Sequence, residues 1–569
     1  MERAQHWKEA EELYRKLLRD TPSHTAAHLQ LANVCLRQGR SEEALGLLDR
    51  LVEMDPQLAQ AHGNRGAILQ VQGDLEGASR CFGQALAVDP GLRQAADNLA
   101  QVAELLFRSD RVAAGELALR TLLGAVRGHS SGLYSLGVLR MAQARFEVAQ
   151  RCLERLLRQG PQPPAVLFQL GQAREALGDP EAAIQAYIAA LQLDPAATDV
   201  LLHLQYARLS LCDWERHDDR LQRLQRRIQA HAECPSGAPL TPLRLLCFPL
   251  PLELQRQVAT RFTEACVRGV APLPPAELAM RQPRRLRLGY LSADFRDHAM
   301  GKLIHGLFAY HDRRRFEVFA YSLANLNDAY TASVQAGVDH YTQVYGWSHQ
   351  GIAERIRSDR IDVLIDLMGH THHSRPAVLA MRPAPLQLLY LGYPGTMGAP
   401  WIDGLIADHW LIPPKLEHGY SERVLRLPWA FVTSPPPEGI SPLQLGRAEL
   451  GLPQHAVVFA CFNRAEKLDP DRFDQWLEIL RRVPSAVLWL LLEHPLVRRR
   501  LRQRAAAQGI DPERLVFGEL MDGERFSACC SLADLVLDTA TYGGGATAVM
   551  ALRAGLPVLR CPGESFPSR

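Results

Sequence analysis

Two short polar stretches carry residues able to do chemistry. In GYLSADFRDH, residues 289–298, the imidazole of His298 follows the carboxylate of Asp294 by four positions. A histidine titrates near neutrality and can act as a general base, and an acid at that spacing can orient it or share the proton transfer. In CFNRAEKLDP, residues 461–470, Lys467 stands at the expected end of a strand, just ahead of Asp469-Pro470, an N-cap with proline at the first helical position. An ammonium there can meet a phosphate in a cleft. His370, His372 and His373 are conceivable metal ligands, but their spacing fits no familiar zinc pattern, and Asp469-x-Asp471 is better explained by helix capping; no metal is expected.

Both stretches need a parallel sheet to position them. Residues 286–305 run from apolar positions into a polar turn, 292–298, and resume a helical pattern from Met300: a strand, a loop and a helix start. Helices near 302–310 and 351–358 alternate with EVFAYSL (317–323), VLIDLMG (363–369) and LQLLYLG (386–392). After a loop-rich region at 411–455 come VVFACFN (457–463), AVLWLLL (486–492), LVFGEL (515–520), LVLDT (535–539) and PVLRC (557–561). Short apolar runs between helical segments imply parallel sheets covered on both faces, here two doubly wound lobes with a ligand cleft between them.

A chain of 569 residues is too long for one core. Its 64 basic and 62 acidic residues leave +2, so no global field recruits nucleic acid or membrane. Only five of the basic residues are lysines (Lys8, Lys16, Lys302, Lys415 and Lys467), against 59 arginines. Where arginine serves as the generic cation, a retained lysine draws notice, since ammonium and guanidinium differ at a tight anion site. Eleven cysteines without C-x-x-C spacing read as reduced thiols. The amphipathic start lacks a signal-peptide core, and the longest apolar run, near 487–492, is too short to span a bilayer; a cytoplasmic protein is expected.

The first third repeats. Pro22, Pro56 and Pro90 are 34 residues apart, as are Pro161 and Pro195; Ala10, Ala44 and Ala78 keep the period, as do Ala149 and Ala183, with turns at Gly39 and Gly73. This resembles the tetratricopeptide repeat, whose stacked helix pairs form a superhelix with a concave face. A three-residue shift between Pro90 and Pro161 makes one central repeat irregular, and residues 1–21 fit only the second helix of a unit. One inner-helix position reads Gln30, Asn64, Asn98, then Ser135, Gln169 and His203. Such amides can pair with the backbone of an extended peptide without reading its side chains. Gln30, Asn64, Asn98 and Gln169 are the expected peptide contacts. The expected domains are a repeat array at 1–196, a helical transition and linker at 197–285, a first lobe at 286–430, an interlobe linker at 431–455 and a second lobe at 456–569.

The stretches GYLSADFRDH, DLMGHT, RPAPLQLLYLGYPGTMGAPWIDGLIAD, CFNRAEKLDP and LADLVLDTATYGGGATAVMALRAGLPVLRCPGE, in that order behind the repeats, resemble the O-GlcNAc transferase and SPINDLY family, bacterial homologues included. The resemblance implies a tetratricopeptide superhelix followed by a GT-B domain of two Rossmann-like lobes. It implies an inverting glycosyltransferase that moves a sugar, GlcNAc by analogy, from a UDP donor to Ser or Thr of proteins bound by the repeats, with no other cofactor. Under it His298, Lys467 and Asp294 are catalytic, and Lys467 meets the donor diphosphate. Leu391, Gly392, Pro394, Gly395, Asn463, Lys467, Gly544, Gly545, Ala546 and Thr547 bind the donor, the glycines letting backbone N–H groups approach it.

There are departures from that family. Its His-Thr-Thr and ribose-binding Asp correspond here to Gly545, Ala546, Thr547 and Met550, and its Lys and His beside the base to Gly523 and Phe526. The turn 543–545 can cradle phosphate through amides, and Phe526 can stack on a base. The chain stops at GESFPSR, where a further helix is expected, which reads as a truncated second lobe. The alternative reading is a peptide-binding scaffold whose transferase domain has decayed.

Overall fold

The computed structural model describes residues 2–234, 237–274, 284–433, 445–519, 521 and 523–569. The expected linkers fall partly outside these residues. The chain divides into two compact units, 1–193 and 194–569.

The first unit holds, among its described residues, eleven helices from Glu2–Asp20 to Pro180–Leu193. The repeat has a physical basis in paired small and large side chains. A Cβ on Gly66 would stand 2.9 Å from the Phe82 ring, on Gly171 2.3 Å from Tyr187, and on Gly137 3.2 Å from Leu153. Each glycine is a notch for the large residue sixteen positions on. His28 and His62 recur too, each ring bonded through Nε2 to the carbonyl of Pro22 or Pro56 at 2.9 and 3.0 Å. The three-residue shift lies in the Arg93–Arg108 helix, which has 16 residues where its counterparts Ala59–Gln72 and Ser130–Ala142 have 14 and 13. The turn after it and the corresponding turn of the next repeat take left-handed backbone with Asp110 (φ 60°) and Ala144 (φ 56°), where Gly39, Gly73 and Gly178 serve the other repeats.

The second unit opens with helices that are no mere linker. The Thr198–Ser210 helix is buried almost all round. His203 lies in that core, 3% exposed, and burial holds its pKa well below the ordinary value. The sixth member of the polar column is therefore a core residue, which corrects the sequence reading. Trp214 packs on Phe473 (ring centroids 5.6 Å) under the guanidinium of Arg504, and Arg500 donates to the Leu211 carbonyl at 2.9 Å. The Leu252–Cys266 helix seals the first lobe. Thr263 Oγ1 donates to Met397 O at 2.6 Å, and Gly398 (φ 65°) meets this helix so closely that a Cβ would stand 2.3 Å from Thr260 N. The segment expected as a transition thus fastens to both lobes.

The first lobe is a seven-stranded sheet ordered β3-β2-β1-β4-β5-β6-β7: β1 Leu286–Ser292, β2 Phe316–Ser322, β3 His340–Gln343, β4 Val363–Asp366, β5 Leu386–Leu389, β6 Gly404–Asp408 and β7 Arg423–Leu427. The second is ordered β10-β9-β8-β11-β12: β8 Val457–Cys461, β9 Ala486–Leu491, β10 Leu515–Gly518, β11 Leu535–Leu537 and β12 Val558–Leu559. Every pairing is parallel. β7 corrects the expectation of a purely loop-rich region at 411–455. β3 (HYTQ) and β7 (RVLRL) lie at the two edges and are only partly buried, so they lack the continuous apolar run of a central strand such as β9. Phe566 returns to the first lobe's core beside Phe431, and Arg569 Nε donates to Trp410 O at 2.8 Å. Among the described residues no helix is long and apolar enough to cross a membrane.

Candidate functional site

The carboxyl edge of β1 forms one wall. Ser292 Oγ accepts the Asp294 amide at 2.9 Å, which folds the buried Asp294 back beneath the loop. Asp294 Oδ1 lies 3.3 Å from Arg296 Nη2, and its Oδ2 lies 3.4 Å from His298 Nδ1. His298 is the N-cap of the Ala299–Ile304 helix, its Nδ1 accepting the Met300 amide at 3.2 Å. Burial pushes the His298 pKa down, against the opposing pull of Asp294. A neutral imidazole that accepts at Nδ1 carries its proton on Nε2, so the capping tautomer presents a donor. The base tautomer needs Nδ1–H turned to Asp294.

The neighbouring loop follows β4. Asp366 accepts the amides of Met368 and Gly369 at 3.1 and 2.8 Å, and burial raises its pKa to about 6. His370 is a core residue: its Nε2 donates to Met397 O at 3.0 Å, its ring stands edge-on to Phe262 and Tyr393, and burial takes its pKa down to about 4. His372 and His373 are exposed, with ring centroids 4.0 Å apart, and feel the charges of Arg296 and Asp294.

The turn 391–396 differs from the expected set of open amides. Gly392 N–H donates to Tyr390 O at 2.8 Å, Gly395 N–H to Tyr393 O at 3.0 Å, and Pro394 has none. Gly392 is glycine for packing: a Cβ would stand 1.7 Å from Leu367 O. Leu391, at φ 64°, is buried, as is Gly395.

The second wall gathers around a residue that the sequence reading passed over. Asp538, just past β11, is buried, and its Oδ1 accepts Asn463 Nδ2 (2.7 Å), Thr539 N (2.9 Å) and Gly544 N (2.9 Å). Its Oδ2 lies 3.4 Å from Arg560 Nη1. The available signal was an acid directly after an apolar strand and ahead of a glycine-rich turn. Of the three glycines, Gly544 N–H is taken by Asp538 and Gly543 N–H by Pro567 O at 2.8 Å, so the expected cradle narrows to exposed Gly545 and the first turn of the Ala546–Arg553 helix. Thr547 Oγ1 lies 3.5 Å from Asn463 Oδ1.

Lys467 lies in the 3-10 turn Ala465–Lys467, beyond the end of β8 rather than on it. Its Nζ donates to Gly543 O at 3.1 Å and stands 4.1 Å from the centroid of the Tyr542 ring. Among the described residues no carboxylate pairs with it at ion-pair distance. Burial lowers its pKa, with Glu466 and Asp538 favouring the charged form and Arg464 opposing it.

Two departures noted in the sequence are filled by structure. Phe526 is buried and stands edge-on to Phe462 at 5.2 Å, so it is packed in the core and not free to stack on a base; Met550 packs in the same cluster. Gly523 faces the other lobe, where Lys302 Nζ, 2.9 Å from Asp297 Oδ1, would lie 3.8 Å from a Cβ at that position. The lobes also touch where Ala546 and Val549 pack on the first lobe's core, which gives Ala546 an apolar contact there. In the repeat unit Gln30 is exposed, Asn98 and Gln169 are half-buried, and Asn64 Nδ2 is already bonded to Asn33 Oδ1 at 2.9 Å.

Two doubly wound lobes meeting at their carboxyl edges, with a buried cation beside a glycine turn and a helical repeat array ahead of them in the chain, are the architecture of a repeat-bearing GT-B protein. The profile of glycosyl transferase family 41 matches residues 211–435 and 439–569, so the segment after the array belongs with the lobes, and tetratricopeptide repeats match 3–68 and 134–198. The chain belongs to glycosyl transferase family 41. Relatives include the probable UDP-N-acetylglucosamine–peptide N-acetylglucosaminyltransferase SEC of Arabidopsis thaliana, 34% identical over 63% of this chain and 38% of that one. The UDP-N-acetylglucosamine–peptide N-acetylglucosaminyltransferase of Caenorhabditis elegans is 26% identical over 63% of this chain and 42% of that one. The chain thus spans about two fifths of these relatives. Among solved structures, a mutant of the Thermobaculum terrenum O-GlcNAc transferase aligns with TM-score 0.59 at 27% identity, covering 83% of this chain and 84% of that one.

Proposed function

We propose that the protein is an inverting glycosyltransferase moving GlcNAc from UDP-GlcNAc to Ser or Thr hydroxyls of protein acceptors held by the repeat array. The acceptor oxygen attacks the anomeric carbon, the bond to the diphosphate breaks, and UDP leaves with the electron pair while the hydroxyl proton is lost. Lys467, with the first turn of the Ala546–Arg553 helix, takes the charge that builds on the diphosphate. Asn463, Gly544, Gly545 and Thr547 shape the donor site, and the 391–395 turn contributes its contour more than its amides. His298, in the tautomer that turns Nδ1–H to Asp294, receives the proton at Nε2. Gln30, Asn98 and Gln169 line the acceptor path, with Asn64 sharing its amide with Asn33.

The observation that carries this reading is the Lys467 ammonium, held by a carbonyl and a ring with no paired carboxylate among the described residues. The relatives' names support the donor and the acceptor. Calorimetric titration with UDP and, in parallel, GDP tests it. UDP binding that Lys467→Ala removes, with the fold intact, supports the donor site; GDP binding instead changes the nucleotide; binding of neither by a folded chain leaves the peptide scaffold.

A further inference from the structure

The Lys467 turn has a support that comes from far along the chain. Tyr206, on the Thr198–Ser210 helix that follows the repeat array in sequence, donates its hydroxyl to Glu466 Oε1 at 3.2 Å. The Arg244 guanidinium covers the Tyr206 ring at 4.4 Å from its centroid, a second contact on the phenol. The helix itself is buried almost all round, so the hydroxyl is delivered from a rigid element. Glu466 adjoins Lys467 in the 3-10 turn.

We infer that Tyr206 and Glu466 are a positioning pair for Lys467, through which the helix following the repeat array holds the cation in place. The inference rests on the reading of Lys467 as the diphosphate contact only for its consequence in catalysis; the pair itself is defined by its geometry. Glu466 and Arg464 lie on its own turn, Asp538 stands past β11, the Tyr542 ring and Gly543 carbonyl lie on the next loop, and Cys247 follows the Pro242–Leu245 helix. Burial pushes the Cys247 thiol up to about 12, so it stays neutral. Glu466 and Asp538 are then the anionic groups, and Asp538 is occupied with Asn463, Thr539, Gly544 and Arg560. Glu466 is the adjustable one, and Tyr206 decides where it points.

The five lysines make this directly measurable. The full chain, labelled with 13C at lysine Cε, gives five signals, and the one missing from Lys467→Arg is Lys467. Its titration midpoint is expected to fall by about half a pH unit or more in Glu466→Gln, and by less in Tyr206→Phe, with the other four signals unmoved. The double variant is expected to fall no further than Glu466→Gln alone, as for two residues acting as one. An unmoved midpoint, or shifts that add, overturns the pair. UDP and GDP titrations on the same samples separate the two readings. A midpoint that responds in a chain binding neither nucleotide sustains the pair and removes the donor reading; nucleotide binding with an unresponsive midpoint does the reverse.

Discussion

The Met300 amide and the Asp294 carboxylate compete for one nitrogen of His298. His298 Nδ1 accepts the Met300 amide at 3.2 Å and lies 3.4 Å from Asp294 Oδ2, so capping a helix and forming a dyad are alternative states of the same ring. Asp294→Asn removes the charge that favours imidazolium, so the His298 midpoint, already depressed by burial, is expected to fall further. Nitrogen-detected titration of the ring reads both midpoint and tautomer; a midpoint that rises or stays put contradicts the coupling.

Lys467→Arg is expected to be nearly as damaging as Lys467→Ala. The compact ammonium fits between Gly543 O and the Tyr542 ring, and a planar guanidinium cannot take the same position. Transfer from UDP-GlcNAc should drop about 100-fold or more in both variants. Arginine activity within a few-fold of wild type would show that only charge matters there.

His370 makes stability pH-dependent. Its folded pKa, about 4, lies below the unfolded value near 6.5. The unfolded chain therefore binds a proton first, and stability falls as pH drops from 6.5 towards 4, by roughly 3 kcal/mol at most, and is constant below. Denaturant midpoints across that window should drop in the wild type and drop less steeply in His370→Gln, the remainder coming from other histidines held low by burial, such as His203. An equal slope in both assigns the acid sensitivity elsewhere.

In the repeat array, Ala144 occupies a left-handed turn position on the surface. Ala144→Gly relieves a strain of about 1 kcal/mol with no packing lost. A higher melting temperature is expected, and a lower one would mean that the methyl group has a partner in the folded array.

Sequence alone located the elements with a strong hydrophobic signature. Every strand of the second lobe was legible because each, even at the edges, lies in a short apolar run such as AVLWLL, and the repeat period was legible because Pro, Ala and Gly recur where geometry demands them. β3, β6 and β7 were not: the edge strands β3 and β7 carry polar residues that look like loop, and β6 (GLIAD) is a five-residue run that opens on glycine and ends on aspartate. The proximity of Asp294 and His298 was legible because the two lie four residues apart in one loop. The site was obscured where a side chain's partner comes from elsewhere: Asp538 looks like an ordinary strand end until the Gly544 amide closes on it, and Gly392 looks like a ligand contact until Leu367 O is beneath it.

The Asp538 cluster has a thermodynamic consequence. With Thr539, Gly544 and the Asn463 amide already gathered on one carboxylate, the loop has little conformational freedom left to lose when a ligand arrives. At the proposed donor site, an arriving ligand then loses chiefly its own motion, and discrimination among ligands rests on the contacts each can make with a surface that is already set.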